Sequence, residues 1–129
     1  MTAWRQAPVV ADAVAAELAR DLDPEDLSQI LDAFRVDIGS RAGELAMALA
    51  GGHVEPAQRA VHSLKGAALN LGFFRLGQMC AHLQQLAQTG DLAAIVVLWP
   101  EFAATCNDSL GRLGHSGLAF EIDSSIVRP

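Results

Sequence analysis

From Leu27 onward the apolar residues recur at steps of three and four. Leu27, Ile30, Leu31, Phe34, Ile38, Leu45 and Leu49 form the stripe of one long amphipathic helix. Asp23-Pro24-Glu25-Asp26 predicts its start: Asp as N-cap, Pro at the first helical position, and acids where the helix dipole favours them. Gly51-Gly52 ends it. A second start at Glu55-Pro56 opens a helix with Val61, Leu64, Ala68 and Leu71 inward, stopping near Gly72. A third follows, with Leu76, Met79 or Cys80, Leu83 and Leu86 facing the core, and Thr89-Gly90-Asp91 separates it from a fourth. That one carries Leu92, Ile95, Val96, Trp99, Phe102, Cys106, Leu110 and Leu113. Pro100 inside it predicts a kink or break near Val96 to Trp99, because proline removes a donor and crowds the preceding turn.

Short connections make neighbouring helices antiparallel. The expected fold is therefore all-α, an antiparallel up-down four-helix bundle over about 24–113. A short N-terminal helix over about 8–20 packs through Val10, Val14 and Leu18, and a tail over 114–129 has no clear period. With 129 residues the chain forms one domain. Abundant Ala and Leu, five Phe, two Trp and no Tyr agree with helix.

The formal net charge of -6 argues against nonspecific nucleic-acid binding, which needs a broad cationic surface. Cys80 and Cys106 lie in apolar stripes rather than in a disulfide framework, which suggests reduced thiols filling a core. Asp12 and Glu17 interrupt any N-terminal apolar run, and the apolar run Leu92 to Trp99 is too short to span a bilayer. A cytoplasmic protein that contacts no membrane is expected, and the initiator Met with a preceding helix suggests a freestanding one. His53, His82 and His115 form no ligand spacing with one another or with the cysteines, so they read as solvent-facing, with no metal site.

Candidate chemistry concentrates in His62-Ser63-Leu64-Lys65-Gly66. Lys65 is the only lysine of the chain, one helical turn after His62, and Gly66 leaves bare backbone beside the ring. Both His62 and Lys65 fall one step off the buried stripe. None of the fifteen Asp and Glu residues lies between Pro56 and Gly90, whereas Arg59, Lys65 and Arg75 all do. One histidine thus sits on a locally basic face of an acidic protein.

His62-x-Leu64-Lys65-Gly66, with Gly72 ten residues after the histidine and Gln84 on the following helix, resembles the histidine-containing phosphotransfer domain of multistep phosphorelays. The resemblance implies that His62 accepts a phosphoryl group from a receiver-domain aspartyl phosphate and passes it to another receiver. It makes Lys65 a counter-charge for the phosphoryl oxygens, and has Gln84 hydrogen-bond the ring or the phosphoryl. Arg59, Ser63, Gly66, Gly72 and Arg75 would belong to the docking face, with Leu69, Phe73 and Leu76 as its apolar patch.

The implied partners are response-regulator receiver domains and a hybrid histidine kinase, met by a monomer. The chain has no P-loop or other nucleotide motif and no acidic cluster beside His62, so no cofactor of its own is expected. Mg2+ is expected from the partner receiver domain. Two other readings compete: a helical adaptor or inhibitor that docks receivers or kinases without transfer, and the dimerisation and phosphoacceptor domain of a histidine kinase. The second usually has an acid directly after its histidine and a proline a few residues later, where this chain has Ser63 and Gly66.

Overall fold

The computed structural model describes residues 3–113 and 122–127. A short 3-10 helix (Ala3–Gln6) precedes five α-helices: α1 (Asp12–Asp21), α2 (Pro24–Gly51), α3 (Val54–Asn70), α4 (Phe74–Gln88) and α5 (Leu92–Arg112). Asp23 caps α2 by accepting from the Asp26 N–H at 2.9 Å, and Asp91 caps α5 by accepting from the Ala94 N–H at 3.1 Å. The ends of α2, α3 and α4 share one device. Gly52, Gly72 and Gly90 take left-handed φ values of 70°, 83° and 78°, and the residue after each donates its N–H to the carbonyl five positions back. Each such end reverses the chain within two or three residues, so the four long helices alternate in direction.

They close into a ring: α2 packs on α3, α3 on α4, α4 on α5, and α5 back on α2. Ile38, Leu45, Leu64, Leu76, Met79, Leu83, Ile95, Trp99 and Phe102 fill its centre, each at most 1% exposed. Burying each large apolar side chain contributes about 1.5–3 kcal/mol. Cys80 and Cys106 are buried free thiols among them, and Trp99 and Phe102 are core, as expected. No described helix is long and apolar enough to cross a membrane.

Several expectations change. In the first turns of α2 Ile30 is exposed and Leu27 and Leu31 are only half-buried. α5 passes through Pro100 without the expected break, the proline standing on the solvent side. The N-terminal helix begins at Asp12 rather than near Pro8 and buries no residue fully. His82 is not simply solvent-facing: it is half-buried, its ring 4.9 Å from that of Trp4. His115 and most of the expected tail lie outside the described residues. The described part, 122–127, returns to its own domain: Asn107 exchanges two hydrogen bonds with the backbone of Ile122, and the Trp99 indole donates to the Asp123 carbonyl.

The N-terminal residues form a strap that apolar periodicity does not reveal. Trp4 is buried against α4, and its indole N–H donates to Glu101 of α5 at 3.0 Å. Arg5 makes a bidentate pair with the same carboxylate and lies over the Trp4 ring. Further along, the Arg75 guanidinium donates to the Ala7 carbonyl at 2.9 Å, and Ala11 N–H donates to the Gly72 carbonyl at 2.8 Å.

The hydrogen bonds from Arg5, and secondarily Trp4, hold the Glu101 carboxyl below its ordinary value against a smaller opposing effect of burial. A depressed carboxyl favours the docked strap at pH above the unfolded value, and that contribution fades as the pH falls through the folded one. Acid titration followed by tryptophan fluorescence should therefore show strap release below the usual carboxylate range. Glu101→Gln should remove this transition while leaving the signal of core Trp99.

Candidate functional site

α3 turns a narrow stripe of Ala57, Ala60, Val61, Leu64 and Ala68 inward. His62 follows directly after Val61 and so emerges exposed on the outer side of the helix. On α4, Gln84 follows buried Leu83 and sits half-buried at the seam with α3. The two meet there: the Gln84 side-chain amide nitrogen is 3.0 Å from Nδ1 of His62.

With the amide nitrogen presented, Nδ1 accepts and the ring proton sits on Nε2. Turning the amide over presents its oxygen, which accepts from Nδ1–H and leaves the Nε2 lone pair free. Gln84 therefore holds the inner nitrogen in either state. Nε2 is left as the nitrogen for an external reagent.

Lys65 is half-buried one turn after His62. Beneath it, burial pushes the Cys80 thiol well up, and the nearby Lys65 charge opposes this in part; burial raises Cys106 as well. Both thiols stay protonated and unreactive. Gly66 lies on the exposed face, and a Cβ built on it would meet nothing within 4 Å. Together with exposed Arg59 before the histidine and Leu69, 39% exposed, after it, this makes an open strip along α3. On the α2 side of the strip a groove of about 570 Å3 runs past His62 and Ser63, walled by Arg41, Glu44 and Met47 of α2.

Four residues expected in the docking face belong elsewhere. Phe73 is buried at 3% exposure with its ring 4.9 Å from Phe34, and Leu76 is at 0% in the core. Gly72 is buried in the α3 cap, where a Cβ would come within 2.7 Å of Val14. Arg75 is half-buried and donates from Nε to the Ala7 carbonyl of the strap. All four cluster at the α3–α4 turn, two to three turns of helix away from His62, where the chain reversal and the strap enclose them. Conversely Met47, Arg41 and Glu44 went unnoticed in the sequence. The available signal was Met47 itself, which falls off the buried stripe of α2 yet is apolar and 77% exposed.

A family model, that of the Hpt domain, matches residues 29–115. The chain belongs to the Hpt domain family. No curated protein and no solved structure matches it. Hpt domains carry out histidine phosphotransfer in phosphorelays, where they interact with receiver domains and kinases. The matched span takes in nearly all of α2 and the whole of α3, α4 and α5, hence every residue of the strip and the groove. The strap, α1 and residues 122–127 fall outside it.

Because the Cβ of an alanine at 66 would find open space, Gly66→Ala should stabilise this Hpt domain by about 0.5–1 kcal/mol through helix propensity alone. Denaturant or thermal unfolding measures this directly. A destabilised variant would show that position 66 is crowded within the fold itself.

Proposed function

We propose that His62 is the phosphoacceptor of a phosphorelay intermediate, taking a phosphoryl group from a receiver-domain aspartyl phosphate and passing it to another receiver domain. The observation that carries this reading is the exposed His62 ring bonded through Nδ1 to Gln84 beside the open face at Gly66. In the reactive state Gln84 accepts from Nδ1–H, and the Nε2 lone pair attacks phosphorus. An N–P bond forms as the P–O bond to the aspartate breaks, and the carboxylate leaves with its electron pair. The Nδ1 proton stays on the ring during transfer and passes to solvent afterwards. Passing the group on runs the same steps in reverse on a second carboxylate.

In this scheme Lys65 supplies a fixed cation one turn from the N–P bond, placed to meet the phosphoryl oxygens without entering the core. Gly66 leaves the in-line approach unobstructed. Between Pro56 and Gly90 the chain carries no carboxylate, which complements the acidic pocket of a receiver. Mg2+ would arrive with that pocket, and phosphoryl groups would enter the relay from a hybrid histidine kinase. The cytoplasm, where such partners work, is the proposed compartment.

Incubation with a phosphorylated receiver domain should label the wild-type chain with acid-labile, base-stable phosphate and leave His62→Gln unlabelled but folded. Phosphate retained on that variant would refute the assignment. Lys65→Ala should shorten the phosphohistidine lifetime or slow transfer while changing stability by no more than about 0.5 kcal/mol, since Lys65 lies off the buried stripe. Unchanged lifetime and unchanged transfer would return Lys65 to the role of a surface cation.

A further inference from the structure

The groove on the α2 side of His62 is where exposed apolar surface adjoins the site. We infer that Met47 and Glu44, one turn apart on α2, determine which receiver domains this protein accepts, Met47 as the apolar anchor and Glu44 as the selecting charge. This inference rests on the phosphotransfer reading of His62.

Continuity comes first. His62 and Ser63 line the groove together with Met47 and Glu44, so a receiver whose aspartyl phosphate reaches His62 necessarily lies against this opening. Met47 is 77% exposed over a floor that includes Ala48, Ala60 and Pro56. An unbranched thioether in such a place adapts to a partner's apolar side chain and loses water when covered. Towards the α3–α4 turn the apolar exposure is smaller, Leu69 at 39% against 77% for Met47, because Phe73 and Leu76 are core there and Arg75 donates to the strap.

Charge supplies the selection. Glu44 is the carboxylate in a groove whose other charged walls are Arg41 and Arg59. Arg41 donates to Glu44 at 2.9 Å and to Asp37 at 3.2 Å, so one guanidinium is shared by two carboxylates of α2, which leaves net negative charge at the rim and holds Glu44 there. A receiver presenting a carboxylate at that point is repelled, and one presenting Lys or Arg is favoured. Specificity then comes from a repulsive element set beside an attractive one.

The test uses two phosphodonors on the full chain: phosphoramidate, too small to need docking, and a panel of phosphorylated receiver domains. Met47→Asp should keep wild-type labelling by phosphoramidate and an unchanged melting temperature, while KM for the preferred receiver rises about tenfold with kcat little altered. Glu44→Lys should change the kcat/KM ranking of the receivers by about fivefold or more, with phosphoramidate labelling again untouched. Val97→Asp, at an exposed apolar position on α5 away from the groove, serves as control and should change neither donor's kinetics. A wild-type KM in Met47→Asp, or equal loss with both donors, would overturn the anchor; an unchanged ranking in Glu44→Lys would overturn the selecting charge. If neither donor labels the wild-type chain at His62, the phosphotransfer reading falls and this inference falls with it.

Discussion

The packing of α3 on α4 sets everything that happens at the surface. Leu64 and Ala68 meet a neighbouring helix whose inward face is Leu76, Met79, Cys80 and Leu83, and all six are at most 1% exposed. The contact between Gln84 and His62 is a solvent-accessible hydrogen bond, and such a bond contributes only about 0.5–1.5 kcal/mol net. It cannot fix the register of two helices. The buried layer beneath can, because displacing close-packed side chains costs several times more. Alanine at 57, 60 and 68 keeps the inner face of α3 slim, which lets its neighbours come close.

Placement off the stripe explains how one helix serves both purposes. Val61 and Leu64 hold the fold, while His62 and Lys65 each follow a buried residue and so emerge beside the seam. The same rotation buries Leu83 and presents Gln84. Gly66 is the exception that costs stability, since glycine in a helix interior weakens it and its open surroundings demand no small residue. A position that the fold itself would rather fill is best explained by something that approaches from outside.

The bundle was legible in the sequence because it rests on local signals, 3.6-residue periodicity, Asp N-caps and glycines after helices, and the contact of Gln84 with the His62 ring was expected from the motif. The starts of α2 and α5 and the reversals at Gly52, Gly72 and Gly90 all follow from residues within one turn of chain. The strap was not legible, because its partners are far away in sequence: Trp4 with His82 and Glu101, and Arg75 with Ala7. A lone Trp in an irregular segment carries no period. The same blindness misplaced Arg75, which looks like a free cation until the carbonyl it binds is known. Phe73 and Leu76 were misjudged for another reason: motif proximity placed them in a docking patch, although the helical period already turned Leu76 inward.

The elements outside the family-matched span bear on which side of the site stays open. Trp4 covers α4 at His82, and residues 7 to 11 lie against the α3–α4 turn through Arg75 and Gly72. The segment from Ile122 to Asp123 is bound along α5 by Asn107 and Trp99. Surface near one end of α4 and along α5 is therefore occupied by the chain's own termini. Among the described residues no terminal segment covers α2 beside His62, and Met47 is 77% exposed there. On the proposed reading, a partner at His62 would meet Met47 on α2 rather than the surfaces that the termini occupy.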